Sequence, residues 1–122
     1  MKNLVVIVPV FNEENTIIAT LEKLSLLKPE LINIGYDLII HVINDGSTDT
    51  TGKLLNEYGN IVIINHKKNR GLGATIRTGL LSAHKINADI VVKYDADLQH
   101  EPLDILNLIK PIYNDESDIV YG

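Results

Sequence analysis

Apolar residues gather in short unbroken runs, and each run is followed by a stretch of helical spacing. Leu4-Val5-Val6-Ile7-Val8 is a β-branched run with no polar alternation, so it predicts a strand buried on both faces, as in a parallel sheet. Pro9 is expected to end it. In the loop Val10 to Glu14, Asn12 is placed to cap a helix in which Ile17, Ile18, Leu21 and Leu24 recur. Glu13 and Glu14 suit the first turn of that helix, where the dipole favours acids. Leu38 to Ile43 predicts the second strand, with His41 as a satisfied sheet residue. The polar turn Asn44 to Thr51 feeds a helix to about Tyr58, capped by Asp49 or Ser47.

Ile61 to Ile64 predicts the third strand, followed by a helix with Ile76, Leu80 and Ala83 on one face. Ile90 to Val92 is the fourth, and it empties into Asp95-Ala96-Asp97-Leu98-Gln99-His100. Pro102 suits a first helical position, Leu103, Leu106 and Ile109 form an apolar face, and Pro111 should kink or end that helix. Asp118 to Gly122 begins another strand. Strand and helix alternating with short connections predict an α/β fold, a doubly wound, mainly parallel, Rossmann-like sheet. Right-handed crossovers favour strand order 3-2-1-4, with strands one and four adjacent at the switch point where ligands bind. Glu13, Asp45, Asp95 and Asp97 would then line one crevice.

Composition narrows the function. At 122 residues the chain is expected to form one domain, residues 1–122, and to be the first part of a longer enzyme. A hydrophobic share of 45% fits a soluble globular protein, and the apolar run at the start is too short to span a bilayer. Net charge is −5, and the basic residues reach no further than Lys67-Lys68 and Arg70 as a run, which argues against nucleic acid as a partner. The absence of cysteine excludes disulfides and thiolate metal sites and is compatible with a reducing compartment.

Two glycine patterns are decoys. Gly46 to Gly52-Lys53 imitates a phosphate-binding loop, but its glycines are one residue too far apart and Leu54 stands where a magnesium-binding hydroxyl belongs. Gly71 and Gly73 lack the third glycine of a dinucleotide fingerprint, since Ile76 occupies its place, and are expected to permit close helix–sheet contact. Arg70 or Arg77 could meet an anion there, or each could serve a solvated or structural role. The turn after the fourth strand carries more chemistry. Asp95 and Asp97 with Gln99 can hold a hard divalent cation that also takes substrate phosphates, or the acids can merely satisfy turn and cap amides.

Four blocks, in order, resemble the inverting family-2 glycosyltransferases of the GT-A fold, most of all the dolichol-phosphate mannosyltransferase and polyprenyl-phosphate sugar transferase branch. Val8-Pro9-Val10-Phe11-Asn12-Glu13 resembles the opening Pro-x-Tyr-Asn-Glu block, with Phe11 for the usual Tyr. Ile43 to Asp49 resembles the Asp-Asp-Gly-Ser block, with Asn44 for the first Asp. Asn69 to Gly79 resembles Asn-x-Gly-x-Gly-x-Ala, and Asp95 to His100 the Asp-x-Asp metal motif. The resemblance implies a nucleotide-sugar-binding half. Pro9, Phe11 and Glu13 would line the base and ribose pocket, with Asn44, Asp45, Arg70 and Asp95 also in nucleotide contact. Asp95, Asp97 and Gln99 would hold Mg²⁺ or Mn²⁺ against the diphosphate of a GDP- or UDP-linked sugar.

The implied acceptor is a lipid phosphate such as a polyprenyl (dolichyl) phosphate, and the implied general base lies beyond Gly122. The chain alone is then expected to bind donor weakly and transfer little, in the cytoplasm, with any membrane association supplied by other parts. Three rivals differ in kind. A receiver domain needs an Asp after strand three, where Asn65-His66-Lys67 stands. A nucleotidyltransferase needs glycine and arginine between Pro9 and Glu14, which has neither. A non-catalytic nucleotide-binding module would share every feature of this half.

Overall fold

The computed structural model describes residues 1–97, Ile105, Ile109 and the backbone of residues 118–121. Five strands form one sheet in the order β3-β2-β1-β4-β5, and every adjacent pair is parallel. They are β1 (Lys2–Val10), β2 (Tyr36–Asp45), β3 (Val62–His66), β4 (Ile90–Lys93) and β5 (Asp118–Tyr121). The helices lying wholly within the described residues are α1 (Ile17–Ser25), α2 (Lys28–Asn33), α3 (Thr51–Tyr58) and α4 (Leu72–Lys85). The expected order of the first four strands holds, and β5 extends it beyond β4.

β1 sits at the centre because both of its faces are apolar. Leu4, Val6, Val8 and Val10 pack with Ile17, Leu21 and Leu24 of α1 and Leu55 of α3, and Ile105 and Ile109 join the same core. Val5 and Ile7 point the other way, toward Ala83 and Leu80 of α4. Helices on both faces make the sheet doubly wound. Each fully buried Leu, Ile or Val contributes roughly 1.5–3 kcal/mol, and Leu4, Val5, Val6, Ile7, Val8 and Val10 of this strand are all buried.

Pro9 does not end β1. The strand runs on to Val10, with Pro9 opposite Ile43 and Val10 opposite Asn44. The Ile7 carbonyl accepts from the Tyr94 N–H at 2.9 Å, so the polar groups of Ile7, and two residues on those of Pro9, aim at the β4 side. The β4 ladder stops at Ile7 opposite Lys93, so the missing N–H of Pro9 falls where no partner strand remains.

The glycines expected to admit close helix–sheet contact do not do so. A Cβ on Gly71 or Gly73 would meet nothing within 4 Å. The close approach is at Gly79, where a Cβ would lie 2.5 Å from Ile7 Cγ2, on the buried α4 row Thr75, Gly79, Ala83. The short helix α2 is an addition to the expected pattern. Its apolar signal is faint because Leu31 alone is buried. The helix expected after Pro102 lies outside the described residues except at Ile105 and Ile109. No described helix is long and apolar enough to cross a membrane.

Candidate functional site

Parallel register brings the carboxyl ends of β1, β2 and β4 to one edge of the sheet, so their loops converge. The first two loops are stitched together by side chains. Asn12 takes a left-handed backbone, φ 52°, a conformation asparagine tolerates better than most residues. Its amide oxygen accepts from the Thr48 N–H at 2.8 Å and the Asp49 N–H at 3.2 Å, and its own N–H donates to Ser47 Oγ at 2.9 Å. Asn12 therefore is not the cap of α1; that position belongs to Thr16, four residues on. The Glu13 N–H donates to Thr51 Oγ1 at 2.9 Å, and the Glu14 carboxylate accepts the N–H and hydroxyl of Thr50. Both glutamates precede the helix instead of forming its first turn. Neither Asp49 nor Ser47 is the cap of α3; that position belongs to Thr50, while Asp49, one residue earlier, accepts the Thr51 N–H at 2.9 Å and Ser47 accepts from Asn12.

Asp45 is the hub of the third loop. Oδ1 accepts from His66 Nδ1 at 2.7 Å and from the Arg70 N–H at 2.9 Å; Oδ2 accepts from the Gly71 N–H at 2.9 Å. Burial by itself would raise the Asp45 pKa, but the His66 bond, the two amides and the imidazole charge outweigh it and hold the carboxyl below its ordinary value. The remaining His66 nitrogen lies 2.8 Å from Thr78 Oγ1 on α4. Next to the hub, Gly46 has φ 74°, and a Cβ there would stand 2.5 Å from backbone atoms of Lys68 and Asn69. Glycine is required for the third loop to cross the second turn at that distance.

The fourth loop carries the acids. Lys93 Nζ lies 3.1 and 3.3 Å from the two oxygens of Asp95. The Thr16 hydroxyl donates to the Ala96 carbonyl, between the two aspartates, and ties this turn to the start of α1.

A cavity of about 270 Å³ opens among these loops. Of the residues singled out from sequence, Pro9, Phe11, Glu13, Asp45, Asp95 and Asp97 all line it. Asn44 and Arg70 do not appear on its described walls. Asn44 is buried and occupied, its Oδ1 accepting from the Ser47 N–H at 3.2 Å and its Nδ2 donating to Asn65 at 3.1 Å. Arg70 contributes its backbone N–H to Asp45. Gln99 lies outside the described residues. The lining residues not singled out individually are Val10, Asn69, Leu72, Thr75 and Ala96. Phe11 and Leu72 are 43% and 56% exposed, large apolar surfaces left at the mouth. His66 was also missed, although the register that sets Asp45 opposite His66 is the signal that could have found it.

Two hard carboxylates, Asp95 and Asp97, line the cavity and are oxygen donors a divalent cation can use, with Lys93 as the present partner of Asp95. Among the described residues no third acid, histidine or cysteine joins them, so a cation would complete its shell with phosphate, water or other oxygens.

Known proteins are similar to this chain in sequence and in fold. It is 35% identical to the UDP-N-acetylglucosamine–dolichyl-phosphate N-acetylglucosaminyltransferase of Methanococcus voltae, over 99% of this chain and 51% of that protein. It is 30% identical to the undecaprenyl-phosphate 4-deoxy-4-formamido-L-arabinose transferase of Photorhabdus laumondii, over 90% of this chain and 34% of that one. The S. aureus TarS 1–349 structure in complex with UDP superposes with a TM-score of 0.63 at 27% identity, covering 91% of this chain and 32% of TarS. The chain thus spans about half, or less, of the length of these relatives. The glycosyl transferase family 2 model matches residues 5–122, and the chain belongs to that family.

Proposed function

We propose that the cavity binds the donor, a nucleoside diphosphate sugar, and that the protein transfers the sugar with inversion to a polyprenyl phosphate. The observation that carries this reading is that aromatic and apolar residues (Pro9, Phe11, Leu72) and acids (Asp95, Asp97) line one cavity. A base stacks on the first; a pyrophosphate needs a cation to approach the second. The named transferases among the relatives, each using a lipid phosphate, support the acceptor class.

In this reading Phe11 stacks on the base, Asp45 faces a base N–H, and Glu13 meets the ribose. Asp95 and Asp97 hold Mg²⁺ or Mn²⁺, with Gln99 as a further ligand. When bound, that cation stabilises charge growing on the leaving diphosphate. Lys93, 3.1 Å away, orients the Asp95 carboxylate before the donor arrives. A phosphate acceptor is already ionised near neutral pH, so attack in line with the leaving group needs less help from a general base than a hydroxyl would.

Thermal shift with UDP and GDP, each with and without Mn²⁺, tests the reading. The expected result is stabilisation by a uridine or guanosine diphosphate that disappears with EDTA or in Asp97→Ala. A response to ATP that ignores metal would overturn it.

A further inference from the structure

We propose that His66 is a specificity-determining residue of the donor site, because it occupies one oxygen of Asp45 and so limits what that carboxylate can offer a base. The inference rests on the donor-site reading above, in which Asp45 faces the base. A carboxylate has about four acceptor positions, two on each oxygen. Oδ1 uses both, on His66 Nδ1 at 2.7 Å and the Arg70 N–H at 2.9 Å. Oδ2 uses one, on the Gly71 N–H at 2.9 Å. One acceptor position is left on a residue that lines the cavity.

Chemistry fixes the direction of each bond. An ionised carboxylate only accepts, so His66 Nδ1 carries the proton it shares with Asp45. Nε2 lies 2.8 Å from the Thr78 hydroxyl, so the imidazole is held at both ends. With His66 in place, Asp45 serves one base N–H. The uracil edge presents one, its N3–H between two carbonyls. The guanine edge presents two side by side, N1–H and the 2-amino group, which ask for both oxygens of a carboxylate. One of the two would be buried unpaired, and polar sites reject ligands on that ground more strongly than apolar ones do.

The test is isothermal titration of the 122-residue chain with UDP, GDP and IDP at fixed Mg²⁺. UDP should bind on the order of tenfold more tightly than GDP. IDP, which lacks the 2-amino group, should bind more tightly than GDP to the unaltered chain. In His66→Leu the UDP:GDP ratio should fall toward one, because Oδ1 is released to take a second N–H; His66→Gln, which keeps a donor, should restore part of the ratio. A wild-type preference for GDP, IDP no better than GDP, or a ratio unmoved in a folded His66→Leu would each overturn the proposal. The IDP comparison needs no substitution and stands even where His66→Leu fails to fold. Failure of all three nucleotides to bind would instead overturn the donor-site reading beneath it, a distinct result.

Discussion

Removing the Asp45 carboxylate should cost more stability than any comparable change at the mouth. Asp45→Ala leaves three donors without their acceptor: His66 Nδ1–H and the N–H groups of Arg70 and Gly71. Hydrogen bonds to a charged partner contribute about 1.5–3 kcal/mol each, but the three share one residue and do not add. Asp45 also borders an open cavity, so water can reach part of the space and recover some of the loss. The expected net cost is roughly 3 kcal/mol, a large share of the 5–15 kcal/mol that holds a domain of this kind. Urea unfolding at neutral pH reads it directly as a midpoint lower by roughly 1–3 M, taking the usual slope for small proteins.

Acid should remove part of the same stabilisation. The folded carboxyl has its pKa held below the ordinary 3.8, so the folded state binds the proton less readily than the unfolded chain does. Its stabilisation is complete above the unfolded value and disappears as pH falls through the depressed folded one. Asp45→Ala should therefore flatten the acid limb of the stability curve below about pH 4. A cost under about 1 kcal/mol at neutral pH, or an acid limb as steep as the parent's, would refute the view that one carboxylate supports the third loop.

Asn44→Asp, which restores the acid usual in the family's block, should destabilise by about 1–2 kcal/mol in chemical denaturation. It replaces the amide that donates to Asn65 and sets a second carboxylate beside Asp45. His41 offers a test near neutrality. Its ring is buried with Nε2 unpartnered among the described residues, and burial lowers its pKa. A histidine with a depressed folded pKa stabilises fully above its unfolded value near 6.5 and less as pH falls through that value toward the folded one. His41→Leu, which keeps a similar volume and removes the charge, should make the melting temperature less sensitive to pH between about 7 and 5. An unchanged slope would assign the acid sensitivity to other groups.

The sheet was legible where burial is two-sided. β1 and β4 announce themselves as unbroken apolar runs, and β2 as a run interrupted by His41 alone, because each lies inside the sheet. β3 was expected at Ile61 to Ile64 and lies at Val62–His66, since an edge strand is half exposed and its polar end residues, Asn65 and His66, look like loop. Pro9 misleads because a local rule about lost N–H groups depends on how far the neighbouring strand runs, which is tertiary information. The acids and aromatics of the site were legible by type and by order along the chain. Asn44 was not, because a polar side chain at a strand end can turn toward the ligand or toward its neighbours, and Asn65 lies across the chain from it. Leu72 and Thr75 carry no chemical signature at all; they belong to the cavity only because α4 begins where the third loop delivers it.

The stitching of the first two loops bears on how this part of the molecule could be altered. Asn12, Ser47, Glu14 and Thr50 each hold a group of the opposite segment, so neither segment keeps its shape when its counterpart is replaced. Transplanting one of them from a related protein would leave open valences at the rim. Exchange succeeds when the two travel as a pair, and recombination between relatives has to respect that linkage.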